Sequence, residues 1–97
     1  MPQVTRLGDL CTGHGCWPPR SSNGSSPDVY ANGILVHRVG DGWAAHTCPV
    51  IPETHASVLA QGSSTVFANG KQLGRIGDSV ACGSTVATGS ADVFAGG

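Results

Sequence analysis

Apolar positions fall in short bursts separated by turn residues, not in long helical stripes. From Val29 the chain reads Val-Tyr-Ala, an Asn-Gly pair, Ile-Leu-Val, and a polar step to Arg38-Val-Gly-Asp41. The order returns as Val66-Phe-Ala, Asn69-Gly70, Lys-Gln-Leu, and Gly74-Arg-Ile-Gly-Asp78. An Asn-Gly pair between apolar positions predicts a tight β-hairpin, because both central residues of the favoured turn need positive φ. Each unit therefore predicts an apolar strand, a Gly-Ser turn, an apolar strand, an Asn-Gly or Gly-Gly turn, and a third strand ending in Gly-Asp.

A third copy is divided between the chain ends. Val93-Phe-Ala-Gly-Gly97 supplies its first half and Arg6-Leu-Gly-Asp9 its second. Ser57–Gly70 aligns without gaps to Ser84–Gly97, and Gly24–Gly33 carries the same string with one insertion. A solenoid leaves its two ends apart, whereas a split copy predicts closure. The fold class is thus mostly β: one small cone-shaped closed domain over residues 1–97, with three pseudo-threefold units. These run over about residues 21–56, 57–83, and 84–97 joined with 1–20. Tyr30, Phe67 and Phe94 occupy equivalent positions and read as core. Arg6, Arg38 and Arg75, with Asp9, Asp41 and Asp78 three residues on, read as loop ties made of charge-assisted hydrogen bonds.

With 97 residues there is room for one domain and a modest core. Fifteen glycines and six prolines leave no room for a long helix, and 11% charged residues with a net charge of −1 give no electrostatic case for nucleic acid. No apolar run approaches the roughly 20 residues of a membrane helix. The start Met-Pro-Gln-Val-Thr-Arg lacks the pattern of a signal peptide, so synthesis in the cytoplasm is expected.

A core this small calls for a staple. His14 lies five residues after Asp9, His46 lies five after Asp41, and Cys82 lies four after Asp78. Three equivalent loops converging on the axis would bring these groups together, and His55 in the insertion after the second loop can supply a fourth. His14, His46, His55 and Cys82 form a closed tetrahedral nitrogen and thiolate set suited to structural zinc. Cys48 is an alternative to His46 or His55. His37, aligned with Gly74, reads as a surface residue, and Trp17 and Trp43 as loop residues shielding or underlying the metal. Cys16 and Cys48 share an offset of seven after the aspartate, so they can pair; a reducing cytoplasm favours buried free thiols for Cys11, Cys16 and Cys48.

Units of the form Val-x-x-Asn-Gly-x-x-x-x-Arg-x-Gly-Asp, preceded by Gly-Ser-x-x-Val and followed by His-Gly or Cys-Gly, resemble the PAAR-repeat proteins over essentially the whole chain. These form the sharp spike tip of type VI secretion systems and contractile phage tails. The resemblance implies a cone of hairpins, zinc near the apex held by three histidines and one cysteine, and a base docked on a trimeric β-helical spike. That spike would be a VgrG-like protein or a phage tail-spike protein, with one tip per trimer and transient contact with the target membrane. The matched positions are His14 in Thr-Gly-His-Gly, Cys82 in Ala-Cys-Gly-Ser, and His46 and His55 in the insertion. The Pro-Ala-Ala-Arg string itself is replaced by Leu35-Val-His-Arg38 and Gln72-Leu-Gly-Arg75. Ile34, Leu35, Val36 and Leu73 are expected to contribute to the docking base. The end at Gly97 reads as a tip without an effector extension, located at a virion tail tip or secreted by the injection machine.

The structural reading implies a non-enzyme. Two others compete: a small zinc hydrolase with Glu53 as base, and a disulfide-stapled extracellular binding module. A catalytic zinc would want an open ligand position, and the chain contains no His-Glu-x-x-His motif.

Overall fold

The structure, a computed structural model, describes residues 2–50 and 54–96. Its described strands form three separate antiparallel pairs, and the described residues contain no helix. Tyr30–Ala31 (β1) pairs with Ile34–Leu35 (β2); Gly42–Thr47 (β3) with Thr54–Val58 (β4); and Phe67–Ala68 (β5) with Lys71–Gln72 (β6). The two short hairpins turn where the Asn-Gly pairs predict, with φ of 55° at both Asn32 and Asn69, and 74° and 77° at Gly33 and Gly70.

The third hairpin is assembled from the two ends of the chain. The Val36 N–H donates to the Val29 carbonyl at 2.9 Å and the Leu73 N–H to Val66 at 3.0 Å; the equivalent bond runs from Val4 to Val93 at 2.9 Å. Gln3 bridges Phe94, and the Ala95 N–H reaches the Pro2 carbonyl. Around the axis the units close into a triangle: Thr5 N–H donates to Gly74, Gly74 to His37, and His37 to Thr5, at 2.9–3.1 Å. The strand that follows each short hairpin is thereby bonded to that of the next unit, and the ring closes on itself.

Two apolar layers stack in a body of 38 × 23 × 22 Å. Val4, Val36 and Leu73 with Ala31, Ala68 and Ala95 form the layer beside the short hairpins. Cys11, Trp43, Leu59, Val80 and Val86 form the second, with Cys82 packed against it. Strand alternation explains a reversal of the sequence reading. Small alanines point inward, so their neighbours Tyr30, Phe67 and Phe94 face out, at 61%, 54% and 47% exposure. They are not core. Conversely, Val36 and Leu73 are buried in the first layer and cannot form a docking base; of the four proposed there, Ile34 is exposed and Leu35 half-buried.

His37 is fully buried, not on the surface, because its strand is one side of the axial triangle and has no solvent face. The equivalent positions hold Thr5 and Gly74. A Cβ at Gly74 would lie 2.6 Å from a Leu59 methyl, 2.9 Å from the Thr5 methyl and 3.1 Å from the His37 carbonyl. Three like side chains cannot share the axis, and the chain places one large, one small and none there. His37 Nδ1 is 2.7 Å from the Gly24 carbonyl and its ring meets Trp43 edge-on at 4.8 Å. Trp43 accordingly lies in β3 and the second core layer, not in a loop.

The three Arg–Asp pairs tie the units as expected. In each, the arginine Nε donates to one aspartate oxygen at 2.8–3.0 Å and Nη2 to the other at 3.0–3.4 Å, while the arginine backbone N–H also reaches the carboxylate. The remaining Nη1 crosses to the next unit: Arg6 to Asn32 Oδ1, Arg38 to Asn69 Oδ1, and Arg75 to the Gly96 carbonyl. Ser90, Ser26 and Ser63 make the same three crossings with their hydroxyls. Where the third copy has Gly in place of Asn, a backbone carbonyl takes over the amide's role. Burial alone pushes the Asp41 carboxyl up, but hydrogen bonds from Arg38 and its charge outweigh this and hold it below the usual range.

Candidate metal centre

Two loops and one hairpin bring His14, His46, His55 and Cys82 together, with one ligand-capable atom of each within 4.8 Å of the others. Each of these three segments is held by a different local device. His14 opens a tight turn, exchanging backbone hydrogen bonds with Trp17 at 2.8 and 3.0 Å. Gly13 permits this turn, since its φ is 73° and a Cβ there would lie 2.5 Å from the Trp17 carbonyl oxygen. Cys82 sits in a turn closed by the Gly83 N–H on the Val80 carbonyl, with Gly83 at φ 107°. Thr12 binds this loop to that of His14 through its backbone N–H on Thr85 and its hydroxyl beside Ser84.

The insertion after the second loop is the β3–β4 hairpin, and it places His46 directly opposite His55. Trp43 and His46 lie an odd number of residues apart, so strict alternation would point them to opposite faces. The register shift between them sets Ala44 and Ala45 against Ala56 alone, a bulge that turns both side chains inward. Trp43 is thereby 3% exposed in the core and His46 5% exposed at the centre.

The nitrogen geometry favours a cation. His55 Nε2 lies 2.9 Å from His14 Nε2 and 2.6 Å from His46 Nε2. His46 Nδ1 is 2.8 Å from the Pro18 carbonyl, which can only accept; Nδ1 therefore carries the proton and the Nε2 lone pair points inward. One proton on His55 Nε2 cannot serve both neighbours well, and without it lone pairs face each other. A dication would satisfy all three nitrogens and the Cys82 sulfur at once. Burial, then the nearby His46 and His55, lower the His14 pKa and favour the neutral ring that ligation needs. Trp17 stacks on His14 at 5.1 Å and covers His55 at 4.9 Å, the shielding place expected of it.

Two of the three remaining cysteines depart from expectation. Cys16 and Cys48 form a disulfide with a Cα separation of 5.1 Å, while Cys11 is a buried free thiol. Their shared offset carries both to the span a disulfide bridges, so the fold lets the pair close. The bond also takes Cys48 out of the set of candidate ligands in this structure. Glu53, the base of the hydrolase reading, lies outside the described residues, and the described residues enclose no pocket. The Pro18 carbonyl that orients His46 carries no sequence signal.

A closed ring of β-hairpins with one compact nitrogen and thiol cluster defines a class of small β-domains built around a candidate structural metal centre. The chain belongs to the PAAR family: the model described as PAAR motif matches residues 8–88. It is 37% identical over 75 residues to the NAD(P)(+) glycohydrolase toxin Tse6 of Pseudomonas aeruginosa, and equally to the (p)ppApp synthetase toxin Tas1 of that species; each match covers 72% of this chain and 17% of the relative. It is also 37% identical over 70 residues to the double-stranded DNA deaminase toxin A of Burkholderia cenocepacia, covering 71% of this chain and 5% of that protein. The chain thus spans 17% or less of the length of these relatives. No helix among the described residues is long and apolar enough to cross a membrane.

Proposed function

We propose that this chain is the pointed cap of a trimeric β-helical spike in a contractile injection machine, a type VI secretion system or phage tail. Zinc held by His14, His46, His55 and Cys82 fastens its apex. The observation that carries the docking is a symmetric apolar ring. Val29-Tyr30, Val66-Phe67 and Val93-Phe94 are equivalent in the three units, and all six side chains are exposed. Three like patches around one axis fit three like chain ends, and exposed apolar surface repeated in this way marks an interface. The short hairpins border one apolar layer and the metal loops the other, which supports a base and an apex at opposite ends. In this reading residues 1–97 act as one domain that the machine exports. The segment shared with the toxins corresponds to delivery, and their named chemistries belong to the rest of those proteins.

Four donors close a zinc site and leave no ligand position for water, which weighs against the hydrolase reading. The disulfide is a staple, as the binding-module reading requires, but it lies within a PAAR domain and adds to that fold. The test has two parts. Elemental analysis of untagged protein should give one zinc per chain, lost in Cys82→Ser together with most of its thermal stability. Native mass spectrometry with a recombinant trimeric VgrG-class spike should give one chain per trimer. Zinc unaffected by Cys82→Ser sinks the ligand assignment, and three chains per trimer or none sinks the cap.

A further inference from the structure

We propose that the Cys16–Cys48 disulfide and the metal centre are energetically coupled, so that oxidation of this pair secures the metal and the metal promotes the oxidation. The inference rests on the metal reading above. Its basis is a coincidence of loops. The disulfide joins residues 32 apart, and His14 and His46, each two residues ahead of one of these cysteines, have the same separation. Metal ligation and the disulfide therefore close nearly the same loop. Whichever forms first holds the two loops together, and the second forms without meeting that ordering cost again. Coupling of this kind is reciprocal by thermodynamic necessity.

Burial sets the order of the chemistry. Cys48 is fully buried, whereas Cys16 is half-buried. The Cys16 thiolate attacks an external disulfide, either a small molecule or an oxidised dithiol protein, forms a mixed disulfide and expels one thiol. The Cys48 thiolate then attacks the Cys16 sulfur and expels the second. Two electrons pass from the cysteine pair to the oxidant, and the two cysteine protons end on the two thiols released. The pair would stay open in a reducing cytoplasm and close in an oxidising compartment, where the metal then becomes hardest to lose.

The test equilibrates zinc-loaded and chelator-stripped chain in glutathione buffers and reads the disulfide fraction by mass after alkylation. The zinc-loaded chain should have an equilibrium constant for disulfide formation about tenfold higher. Zinc release to a chromogenic chelator should in turn be about tenfold faster after reduction by a phosphine, starting from folded, loaded protein in both states. The Cys16→Ser/Cys48→Ser variant should release at the fast rate with or without reductant. Equal release rates before and after reduction, in protein that holds stoichiometric zinc, overturn the coupling and leave the metal reading intact. If the oxidised chain holds no zinc, the metal reading fails and the coupling fails with it.

Discussion

Replacing Phe67 with alanine probes the cap directly. Its side chain is 54% exposed, and a phenyl group offers about 200 Å² to a partner, so about 100 Å² is open for burial. At about 25 cal/mol per Å², and allowing for the Cβ that alanine keeps, the loss is about 2 kcal/mol, or roughly thirtyfold in Kd. Tyr30 at 61% and Phe94 at 47% stand in equivalent places. Truncating either should cost the same within a factor of a few, because a threefold partner meets each unit alike. Calorimetric titration of each variant against the trimeric spike measures this, and circular dichroism checks the fold. Stability should shift by no more than about 0.5 kcal/mol, since none of the three is core. Losses under threefold at all three positions refute docking through this ring. A large loss at one position with two silent refutes threefold docking and leaves an ordinary one-sided contact.

Two further outcomes follow from the axis. Gly74→Ala should cost about 1–3 kcal/mol by overpacking against Leu59, Thr5 and the His37 carbonyl; adding Thr5→Ser removes one clashing methyl and should recover part of it, so additive effects in a denaturant double-mutant cycle would refute the crowding. His37 has its pKa lowered, chiefly by burial and further by Arg38, against opposing contributions from the Gly24 carbonyl, Asp41 and Asp9. The unfolded chain then binds the proton more tightly, so this contribution to stability is complete above about pH 6.5 and falls as pH drops through that value toward the folded pKa. Thermal midpoints of zinc-loaded protein between pH 7.5 and 5.5 should fall more steeply for the wild type than for His37→Gln; matching slopes refute it.

What the sequence revealed was whatever repeats or turns dictate locally. Asn32-Gly33 and Asn69-Gly70 demand positive φ wherever they occur, and Arg-x-Gly-Asp closes its own turn, so hairpins and ion pairs were legible from spacing. The meeting of His14, His46 and Cys82 followed from equal or adjacent offsets in equivalent loops, and His55 was added from the insertion after the second loop. Facing was less legible. A two-residue strand carries too little alternation to say whether Tyr30 or Ala31 points inward, and size suggested the aromatic where the narrow axis admits only the alanine. His37 read as polar and exposed because burial on an axis depends on three strands distant in sequence. The bulge that turns His46 toward the cluster has no signature in Trp43-Ala-Ala-His46. The Cys16–Cys48 bond was visible as an offset and set aside on grounds of compartment, which do not bear on geometry.

The repeats are faithful where a trimer would be met and diverge toward the candidate metal cluster, and the two ends have different reasons. At the hairpins, Val-Tyr, Val-Phe and Val-Phe recur nearly unchanged. At the axial triangle the units already differ, as Thr5, His37 and Gly74, because identical side chains would collide there. At the far end they place His14, His46 and Cys82, and the fourth candidate donor, His55, lies across the β3–β4 hairpin from His46. A true homotrimer offers donors on its axis in threes, so a single ion would receive three or six. Four donors closing a tetrahedron require one chain that imitates threefold symmetry and then breaks it. The split third copy gives one chain both properties: termini joined into a closed ring at the symmetric end, and a sequence free to differ at the other.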